Sequence, residues 1–380
     1  MKIAVCGGGT AGHITPVLAV VDALRKLDPE VEILFIGSGG EIEKKLLDKH
    51  NLDSVIISAG KFRRYRRGWR KELADVSTSK SNAKDLFKFC KGYMQSKKIL
   101  KNFKPDVVFT KGGYVTVPVG LAAKSQNIPL VIHDSDTVFG VANRILASRA
   151  KKIATGFPAE AFDASLEKNK IVFTGNPVRN ELLSTSLDKA KSTFGFKNNR
   201  PIVFIFAGSQ GAEAINNVIF DGLELILKNY NLIHHTGSQG IERARIAAHN
   251  LPPELTQNYR PYDFLDSEMT DALFVSDVAV IRPSASSIAE VAAHSLPTIM
   301  IPGPFSANNH QQKNADFLEK MGAARTLDQS SLSAIRLCSE IDRILSSESA
   351  KKYLQTTIHE FWLSDSAERI ARLIVSAVDK

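Results

Sequence analysis

The sequence predicts an α/β protein made of two doubly wound, Rossmann-like domains. Short β-branched apolar runs alternate with helical patterns along the chain, which is typical of parallel sheets covered by helices on both faces. A glycine-rich turn follows the first strand of each half, at residues 7–12 and 208–211. With 380 residues, the chain is also too long for one ordinary domain.

Six segments predict the strands of the first half, and a helix is predicted at residues 15–26, with Pro16 near its start. In order, the segments are KIAVCGGG, VEILFIG, PDVVFTKGGY, PLVIHDSD, KKIATGF and KIVFTGN. The second half contributes PIVFIFA, NLIHHTG, DVAVIRP and PTIMIP. We predict domains at residues 1–175 and 176–361, joined near residues 175–180. An amphipathic helix at about 362–380 can pack back on the first domain, through a face formed by Ala367, Ile370, Leu373, Ile374 and Ala377.

The composition is that of a globular chain in a reducing compartment. Cys6, Cys90 and Cys338 lie far apart, with the spacing of neither metal ligands nor a disulfide framework. The N-terminus has a very short apolar run followed by glycines, so we expect a first strand rather than a signal peptide. No apolar run approaches the length of a transmembrane helix.

Positive charge is concentrated in one segment. Residues 61–104 hold 15 Lys or Arg against three acidic residues, whereas the whole chain carries +9. Aromatic residues are interleaved with these cations, among them Phe62, Tyr65, Trp69, Phe87, Phe89 and Tyr93. This pattern is typical of a surface that binds an anionic membrane or a nucleic acid. The alternative is a solvated loop and helix whose apolar residues belong to the core.

The segment at residues 281–324 combines three features of a nucleotide-sugar site. An apolar run ends at Ile281, and a helix is predicted to begin near Ser286 or Ser287, where its N-terminus suits a phosphate. Glu290, one turn further on, can accept hydrogen bonds from ribose hydroxyls. After the next strand, a loop carries His310, Gln311 and Asn314, which suit a sugar. The alternative is an ordinary α/β crossover with a polar rim.

The first glycine-rich turn, at residues 7–12, precedes His13 directly. Such a turn lets backbone N–H groups approach a diphosphate. A dehydrogenase is disfavoured because the second strand ends in Gly37-Ser38-Gly39-Gly40, and Glu41 comes only after that loop. His13 is either a general base or a helix-capping, phosphate-binding histidine.

Two further motifs follow strands. Gly208-Ser209-Gln210-Gly211 offers backbone N–H groups and a hydroxyl to a diphosphate; the alternative is a tight turn without a ligand. His133-Asp134-Ser135-Asp136 contains the D-x-D spacing of a metal site, but no nearby cluster completes a ligand shell. We therefore favour a polar rim in which Asp136 accepts a hydrogen bond from a sugar hydroxyl.

The motifs GGGTAGH, TGNPVR and AGSQGAEAIN, together with residues 281–324, resemble the MurG family in order and spacing. The resemblance implies the GT-B fold, with two facing doubly wound domains and a cleft between them. It also implies an inverting transferase that moves N-acetylglucosamine from UDP-N-acetylglucosamine to lipid I, giving lipid II in peptidoglycan synthesis. The implied location is the cytoplasmic face of the bacterial plasma membrane. The implied partners are the anionic surface of that membrane and cell-wall synthesis proteins. The resemblance implies no nucleic-acid partner, no cofactor and no essential metal.

The resemblance also assigns roles to individual residues. His13 matches the base. The acceptor-binding positions are Gly8, Gly9, Thr10, Gly12, His13, Lys111 and Tyr114. The donor-binding positions are Arg179, Ser209, Gln210, Leu265, Ala285, Ser286, Ser287, Glu290, Gln311, Asn314 and Asp136. The membrane positions are Arg63, Arg64, Arg66, Arg67, Trp69, Phe87 and Lys88.

The chain departs from the family pattern at three motifs. Ala11 replaces a glycine of GGTGGH, HDSD replaces HEQN, and Ser284 replaces the glycine of RxGAxTxxE. Three alternatives stay open. One is a related GT-B enzyme with another lipid acceptor, such as diacylglycerol, and another is a non-hydrolysing UDP-N-acetylglucosamine 2-epimerase. The third is an inactive UDP-sugar-binding subunit.

Overall fold

The computed structural model describes residues 1–8, 11–60, 76–162, 167–178, 180–208 and 211–378. The chain divides into two compact units, Met1–Pro177 with Asp365–Lys380, and Val178–Ser364. Each unit contains one parallel sheet, so the prediction of two doubly wound α/β domains is confirmed. In the described part of the chain, no helix is long and apolar enough to cross a membrane.

The sheet of the first unit has seven strands in the order β3-β2-β1-β4-β5-β6-β7. The strands are β1 Lys2–Cys6, β2 Glu32–Gly37, β3 Ser54–Ile56, β4 Val107–Thr110, β5 Leu130–Asp134, β6 Lys152–Thr155 and β7 Ile171–Phe173. The helices between them are α1 Ala11–Leu27, α2 Glu41–Lys49, α3 Val76–Phe103, α4 Thr116–Ser125 and α5 Val141–Ala147. The strand order reverses between β1 and β4, which places the expected ligand site at their carboxyl ends.

The sheet of the second unit has six strands in the order β10-β9-β8-β11-β12-β13. The strands are β8 Ile202–Phe206, β9 Asn231–His235, β10 Tyr259–Tyr262, β11 Val278–Ile281, β12 Thr298–Met300 and β13 Arg325–Thr326. The helices are α6 Leu187–Phe194, α7 Glu213–Asp221, α8 Leu223–Asn229, α9 Ile241–His249, α10 Pro253–Thr256, α11 Glu268–Val275, α12 Ala285–Ala293, α13 His310–Lys320, α14 Ala334–Leu345 and α15 Glu348–His359. Here the order reverses between β8 and β11.

The last helix, α16 Ser366–Ser376, belongs to the first unit. Its buried residues Ile370, Ala371 and Ile374 join the core that also contains the apolar face of α1. Lys151 secures the end of the helix because its Nζ donates a hydrogen bond to the carbonyl of Ala377 at 3.0 Å. Burying one isoleucine side chain contributes about 1.5–3 kcal/mol to the free energy of unfolding. The helix is therefore a structural part of the first unit, although 187 residues of the second unit separate it from the rest.

One predicted helix start was wrong, and another was close to the observed residue. Helix α1 begins at Ala11 rather than at residue 15, so Pro16 lies inside it and one intrahelical hydrogen bond is missing. The buried face of α1, with Ile14, Val17 and Leu18, offsets that loss by packing on the sheet. Helix α12 begins at Ala285, one residue before the predicted range, because Ser284 caps it. Strands β3, β10 and β13 were missed, since each is short and carries polar residues.

Candidate active site

The N-terminus of α12 lies at the carboxyl end of β11, at the point where the strand order of the second sheet reverses. Ser284 is the N-cap, and its Oγ accepts a hydrogen bond from the backbone N–H of Ser287 at 3.3 Å. The same Oγ lies 2.9 Å from the hydroxyl of Ser287 and 3.2 Å from that of Ser286. Three hydroxyls and the positive end of the helix dipole therefore meet at one place, which suits an anionic ligand.

The predicted ribose acceptor Glu290 lies on the same side of α12 as Ser286. The two residues are four positions apart, which brings their side chains onto one helix face. Ser286 is exposed and Glu290 is half-buried, so both reach the surface of the unit. At the edge of the sheet, Leu265 follows β10 and is buried, while its neighbour Phe264 is 60% exposed.

The predicted sugar-binding residues also connect the loops after β11 and β12. The backbone N–H of Gly303 donates to Oε1 of Gln311 at 2.8 Å. Asn314 is fully buried, and its Nδ2 donates to the carbonyl of Pro283 at 3.1 Å. Arg282 donates to the carbonyl of Ile301 at 2.7 Å, and burial lowers the pKa of Arg282 to about 10, so it stays protonated at neutral pH. These contacts fix the shape of the rim, and direct sugar contacts by Gln311 and Asn314 stay a prediction.

The second glycine-rich turn requires glycine at both described positions. Gly208 and Gly211 have φ values of +85° and +74°, a region that side chains disfavour. The N–H of Gly211 donates to the carbonyl of Gly208 at 2.9 Å, and a Cβ on Gly211 would lie 2.0 Å from the carbonyl of Thr236. The turn therefore packs directly against the loop after β9. Ser209, Gln210 and Arg179 lie outside the described residues.

The first glycine-rich turn lies at the carboxyl end of β1, beside the loop that follows β4. A Cβ on Gly8 would lie 3.1 Å from Cγ2 of Val115, so the turn and this loop are in close contact. Gly12 and His13 were assigned to the turn, but they lie in the first helical residues of α1, which begins at Ala11. Gly9 and Thr10 lie outside the described residues.

Sequence reasoning missed Glu43, which is buried next to the first turn. Its Oε1 accepts from the N–H of Gly39 at 2.8 Å, and its Oε2 accepts from the hydroxyl of Ser38 at 3.1 Å. A Cβ on Gly8 would lie 3.5 Å from the same Oε2. The sequence has no acidic residue at the end of β2, but the carboxylate of Glu43, in the first turn of α2, reaches the loop that follows β2. The signal was a glutamate at the third position of a helix that follows a glycine-rich loop.

A charged cluster lies at the carboxyl ends of β4 and β5. Lys111 is only 4% exposed, and its Nζ donates to Oγ of Ser135 at 2.5 Å. Burial lowers the pKa of Lys111 to about 8, although the nearby carboxylates of Asp134 and Asp136 act in the opposite direction. Tyr114, in the same loop as Lys111, is half-buried.

Asp134 and His133 are also buried in this cluster. Oδ2 of Asp134 accepts from the N–H of Gly140 and from Nδ2 of Asn143, both at 2.9 Å. Burial is the main reason why the pKa of Asp134 is raised to about 6. Burial likewise keeps the pKa of His133 well below its usual value, and its Nε2 lies 3.1 Å from the carbonyl of Gly175. Within the described ranges, no group of three His, Cys, Asp or Glu residues is arranged to hold a metal ion.

The described part of the basic segment is helix α3, which presents apolar residues to solvent. Leu86, Phe87 and Met94 are 54%, 72% and 63% exposed. Lys84, Lys88, Lys91, Lys97 and Lys98 are exposed on the same helix. The predicted membrane residues Arg63, Arg64, Arg66, Arg67 and Trp69 lie outside the described residues.

Comparison with known proteins gives consistent matches along the chain. The profile "Glycosyltransferase family 28 N-terminal domain" matches residues 3–155, and "Glycosyltransferase family 28 C-terminal domain" matches residues 202–372. A relative from Bacillus pumilus is 36% identical over 375 residues, which is 98% of both chains. That relative is named UDP-N-acetylglucosamine–N-acetylmuramyl-(pentapeptide) pyrophosphoryl-undecaprenol N-acetylglucosamine transferase.

Solved structures show the same fold. The crystal structure of MurG from Acinetobacter baumannii covers 99% of this chain and 100% of its own, with a TM-score of 0.76 and 24% identity. The UDP-GlcNAc 2-epimerase from Neisseria meningitidis, solved with UDP-GlcNAc bound, covers 99% of this chain and 100% of its own. Its TM-score is 0.66 at 12% identity, so the likeness is one of fold alone.

Proposed function

The chain belongs to the MurG family of glycosyltransferases, and on this basis we propose that it transfers N-acetylglucosamine from UDP-N-acetylglucosamine to undecaprenyl-diphosphate-linked N-acetylmuramyl-pentapeptide. The enzyme class is therefore a hexosyltransferase. The observation that carries the proposal is the similarity over 98% of both chains to a relative named for this reaction. The geometry of the second unit supports it, because an anion-binding helix N-terminus lies where the strand order reverses.

In this account, the second unit holds the donor. The diphosphate lies at the N-terminus of α12, next to Ser286 and Ser287, and its charge is balanced by the helix dipole. Glu290 accepts hydrogen bonds from the ribose hydroxyls, and the backbone of Leu265 contacts the uracil. Gln311 and Asn314 complete the sugar site from the loop after β12. Arg179, Ser209 and Gln210 serve the same diphosphate.

The first unit binds the acceptor and activates its hydroxyl group. Gly8, Gly9, Thr10 and Gly12 bind the acceptor diphosphate, and His13 takes the proton from the attacking hydroxyl. That oxygen forms a bond to the anomeric carbon while the bond from this carbon to the phosphate oxygen of UDP breaks, with inversion. The negative charge that develops on UDP is stabilised by dipoles that are already oriented, which is the most effective form of electrostatic catalysis. No metal ion is required in this scheme.

Helix α3 supports a membrane-bound acceptor. An exposed stripe containing Phe87 and Met94 lies among exposed lysines, so it can insert apolar side chains while the ammonium groups meet anionic lipid. We therefore place the enzyme peripherally on the cytoplasmic face of the plasma membrane. A free nucleotide-sugar epimerase, which acts on no lipid, would leave this stripe without a role.

A transfer assay tests the proposal. Purified protein receives UDP-N-acetylglucosamine labelled in the sugar and a short-chain analogue of the lipid acceptor, with and without EDTA. We expect label in the lipid product, unchanged by EDTA. Conversion of the free donor to UDP-N-acetylmannosamine would instead identify an epimerase. Transfer to diacylglycerol, but not to the diphosphate lipid, would identify another lipid acceptor.

A further inference from the structure

We propose that Lys111 is a built-in counter-ion for the acidic triplet Asp134-Ser135-Asp136, where it occupies the place of a divalent cation and positions Asp136 for substrate. The family resemblance places Asp136 among the donor-binding positions, and that part of the inference rests on the proposed function. The charge pairing belongs to the first unit and can be tested without substrate.

The topology of the sheet brings the lysine and the triplet together. Strands β4 and β5 are neighbours, with Thr110 paired to Ile132, so the residues that follow them lie at the same edge. Lys111 follows β4 directly and is 4% exposed. Its Nζ lies 2.5 Å from Oγ of Ser135, the middle residue of the triplet. Its ammonium group is therefore directed at the triplet and is largely shielded from solvent.

The triplet is held rigidly around this ammonium group. Asp134 is 6% exposed and accepts hydrogen bonds from the backbone of Gly140 and the side chain of Asn143. Nδ2 of Asn143 also donates to the carbonyl of His133 at 2.8 Å, and Nδ2 of Asn176 donates to the carbonyl of Ser135 at 3.1 Å. These contacts fix the carboxylate of Asp134 and the backbone up to Ser135, and the N–H of Asp136 donates to Oδ1 of Asp134 at 3.3 Å.

The chemistry of the triplet is that of a hard-cation site. Two carboxylates and a neutral amide oxygen are the ligands that Mg²⁺ and Mn²⁺ prefer. Oδ1 of Asn143 is buried and has no hydrogen-bond partner among the described residues, so it could serve as such a neutral oxygen. The carboxylates of Asp134 and Asp136 both favour the protonated form of Lys111. Unlike a metal ion, this positive charge is covalently attached to the chain and cannot diffuse away.

The competing explanation is that Lys111 contacts the acceptor diphosphate directly. Its burial and its contact with Ser135 favour the triplet as its partner. The two explanations differ in the effect of removing the charge. Loss of a counter-ion creates a divalent-cation site and is repaired by removing one carboxylate, whereas loss of a phosphate ligand raises the acceptor KM and is not repaired in this way.

The experiment compares wild type with Lys111→Met, Asp136→Asn and the double variant. Lys124→Met is the matched control, because Lys124 is exposed at the end of α4. Mn²⁺ binding is measured by electron paramagnetic resonance and folding by thermal melting. We expect Lys111→Met alone to bind one Mn²⁺ with a Kd of about 10⁻⁴ M.

The transfer reaction gives the second readout. In the absence of metal, kcat of Lys111→Met should fall by about tenfold. The double variant should regain most of it, because no carboxylate is left unbalanced and Asn is the residue of the family motif HEQN at this position, so its amide can still contact the sugar. Additive effects of the two substitutions would overturn the proposal. So would Mn²⁺ binding by wild type at the triplet, or a rise in acceptor KM alone. If Lys111→Met does not fold, the folded double variant carries the same conclusion, and an unfolded double variant refutes it.

Discussion

The points where the two sheets reverse strand order are built from different chemical groups. In the first unit, Lys111, His133 and Asp134 lie at the carboxyl ends of β4 and β5, all buried and all with shifted pKa values. In the second unit, the loop after β11 presents the hydroxyls of Ser284 and Ser286 at a helix N-terminus. Hydroxyls and backbone dipoles do not titrate near neutral pH, whereas Lys111 and Asp134 of the first unit have pKa values of about 8 and about 6. This division suits a donor side that holds a permanent anion and an acceptor side that handles a proton.

The largest expected effect is a loss of turnover that leaves UDP binding unchanged, because the base lies in the first unit and the UDP site in the second. His13→Ala should lower kcat by about 10²–10⁴-fold, as is typical for the loss of a general base, and leave the Kd for UDP unchanged. Steady-state transfer and calorimetry measure the two quantities. His50→Ala is a control in the same unit, because His50 lies at the C-cap of α2. Equal losses in turnover and UDP binding would show that His13 is not the base.

The second prediction compares exposed apolar residues on one helix of each unit. Replacing Phe87 and Met94 of α3 by Ser should weaken binding to phosphatidylglycerol vesicles by about tenfold or more, because each apolar side chain leaves the lipid. Ile335→Ser on α14 is the control, since Ile335 is also 72% exposed but lies in the second unit. Cosedimentation measures binding. An equal loss in the control would mean that α3 is not the membrane surface.

The third prediction compares two serine helix caps with the same hydrogen-bond distance. In both, Ser Oγ accepts a backbone hydrogen bond at 3.3 Å, Ser284 from Ser287 and Ser333 from Arg336. Either change to Ala should lower the free energy of unfolding by about 1 kcal/mol. Only Ser284→Ala should also weaken UDP binding, by about fivefold. Denaturant unfolding and calorimetry check both effects. If Ser284→Ala and Ser333→Ala bind UDP equally well, the N-terminus of α12 is not part of the UDP site.

The smallest expected effect is a change in pH dependence. The ammonium group of Lys111, which has a pKa of about 8, faces Asp134, Asp136 and His133. Above pH 8 it loses its proton, so kcat/KM should decline, and Lys111→Arg should extend activity to higher pH. The Kd for UDP should stay constant between about pH 7 and 9, because the second unit binds through dipoles. An unchanged alkaline limb in Lys111→Arg would contradict the assignment.

Deprotonation of Lys111, which should lower activity, should raise the stability of the fold. Its folded pKa lies below the unfolded value of 10.5, so the unfolded chain binds more protons between about pH 8 and that value. The contribution of Lys111 to the free energy of unfolding therefore rises with pH over the range in which activity falls. A denaturant series at several pH values, on wild type and Lys111→Arg, separates the two effects.

The sequence predicted the parts of the fold that depend on local pattern. The period of the apolar runs located most strands, and the glycine-rich turns located the carboxyl ends of β1 and β8. Gly211 illustrates why this works, because its positive φ and its contact with Thr236 leave no room for a side chain. Sequence reasoning also recognised the serines of α12 as a helix start, within one or two residues.

Features that depend on contacts between distant segments could not be predicted. Glu43 was missed because its carboxylate reaches back to Gly39, and no periodic pattern encodes that bend. The pairing of Lys111 with the acidic triplet joins residues 24 positions apart through the sheet. The D-x-D spacing suggested metal chemistry, and only the position of a buried lysine shows how the charge is balanced.

The return of α16 to the first unit affects the order in which the chain can fold during synthesis. The ribosome completes residues 1–177 and then all of the second unit before it makes Ile370, Ala371 and Ile374. Until then, the part of α1 that packs against α16 has no cover, so the first unit to be translated is the last to be finished. A chain that stops early would leave its second unit whole and its first unit open. Such a product exposes an apolar surface of the kind that chaperones and proteases detect.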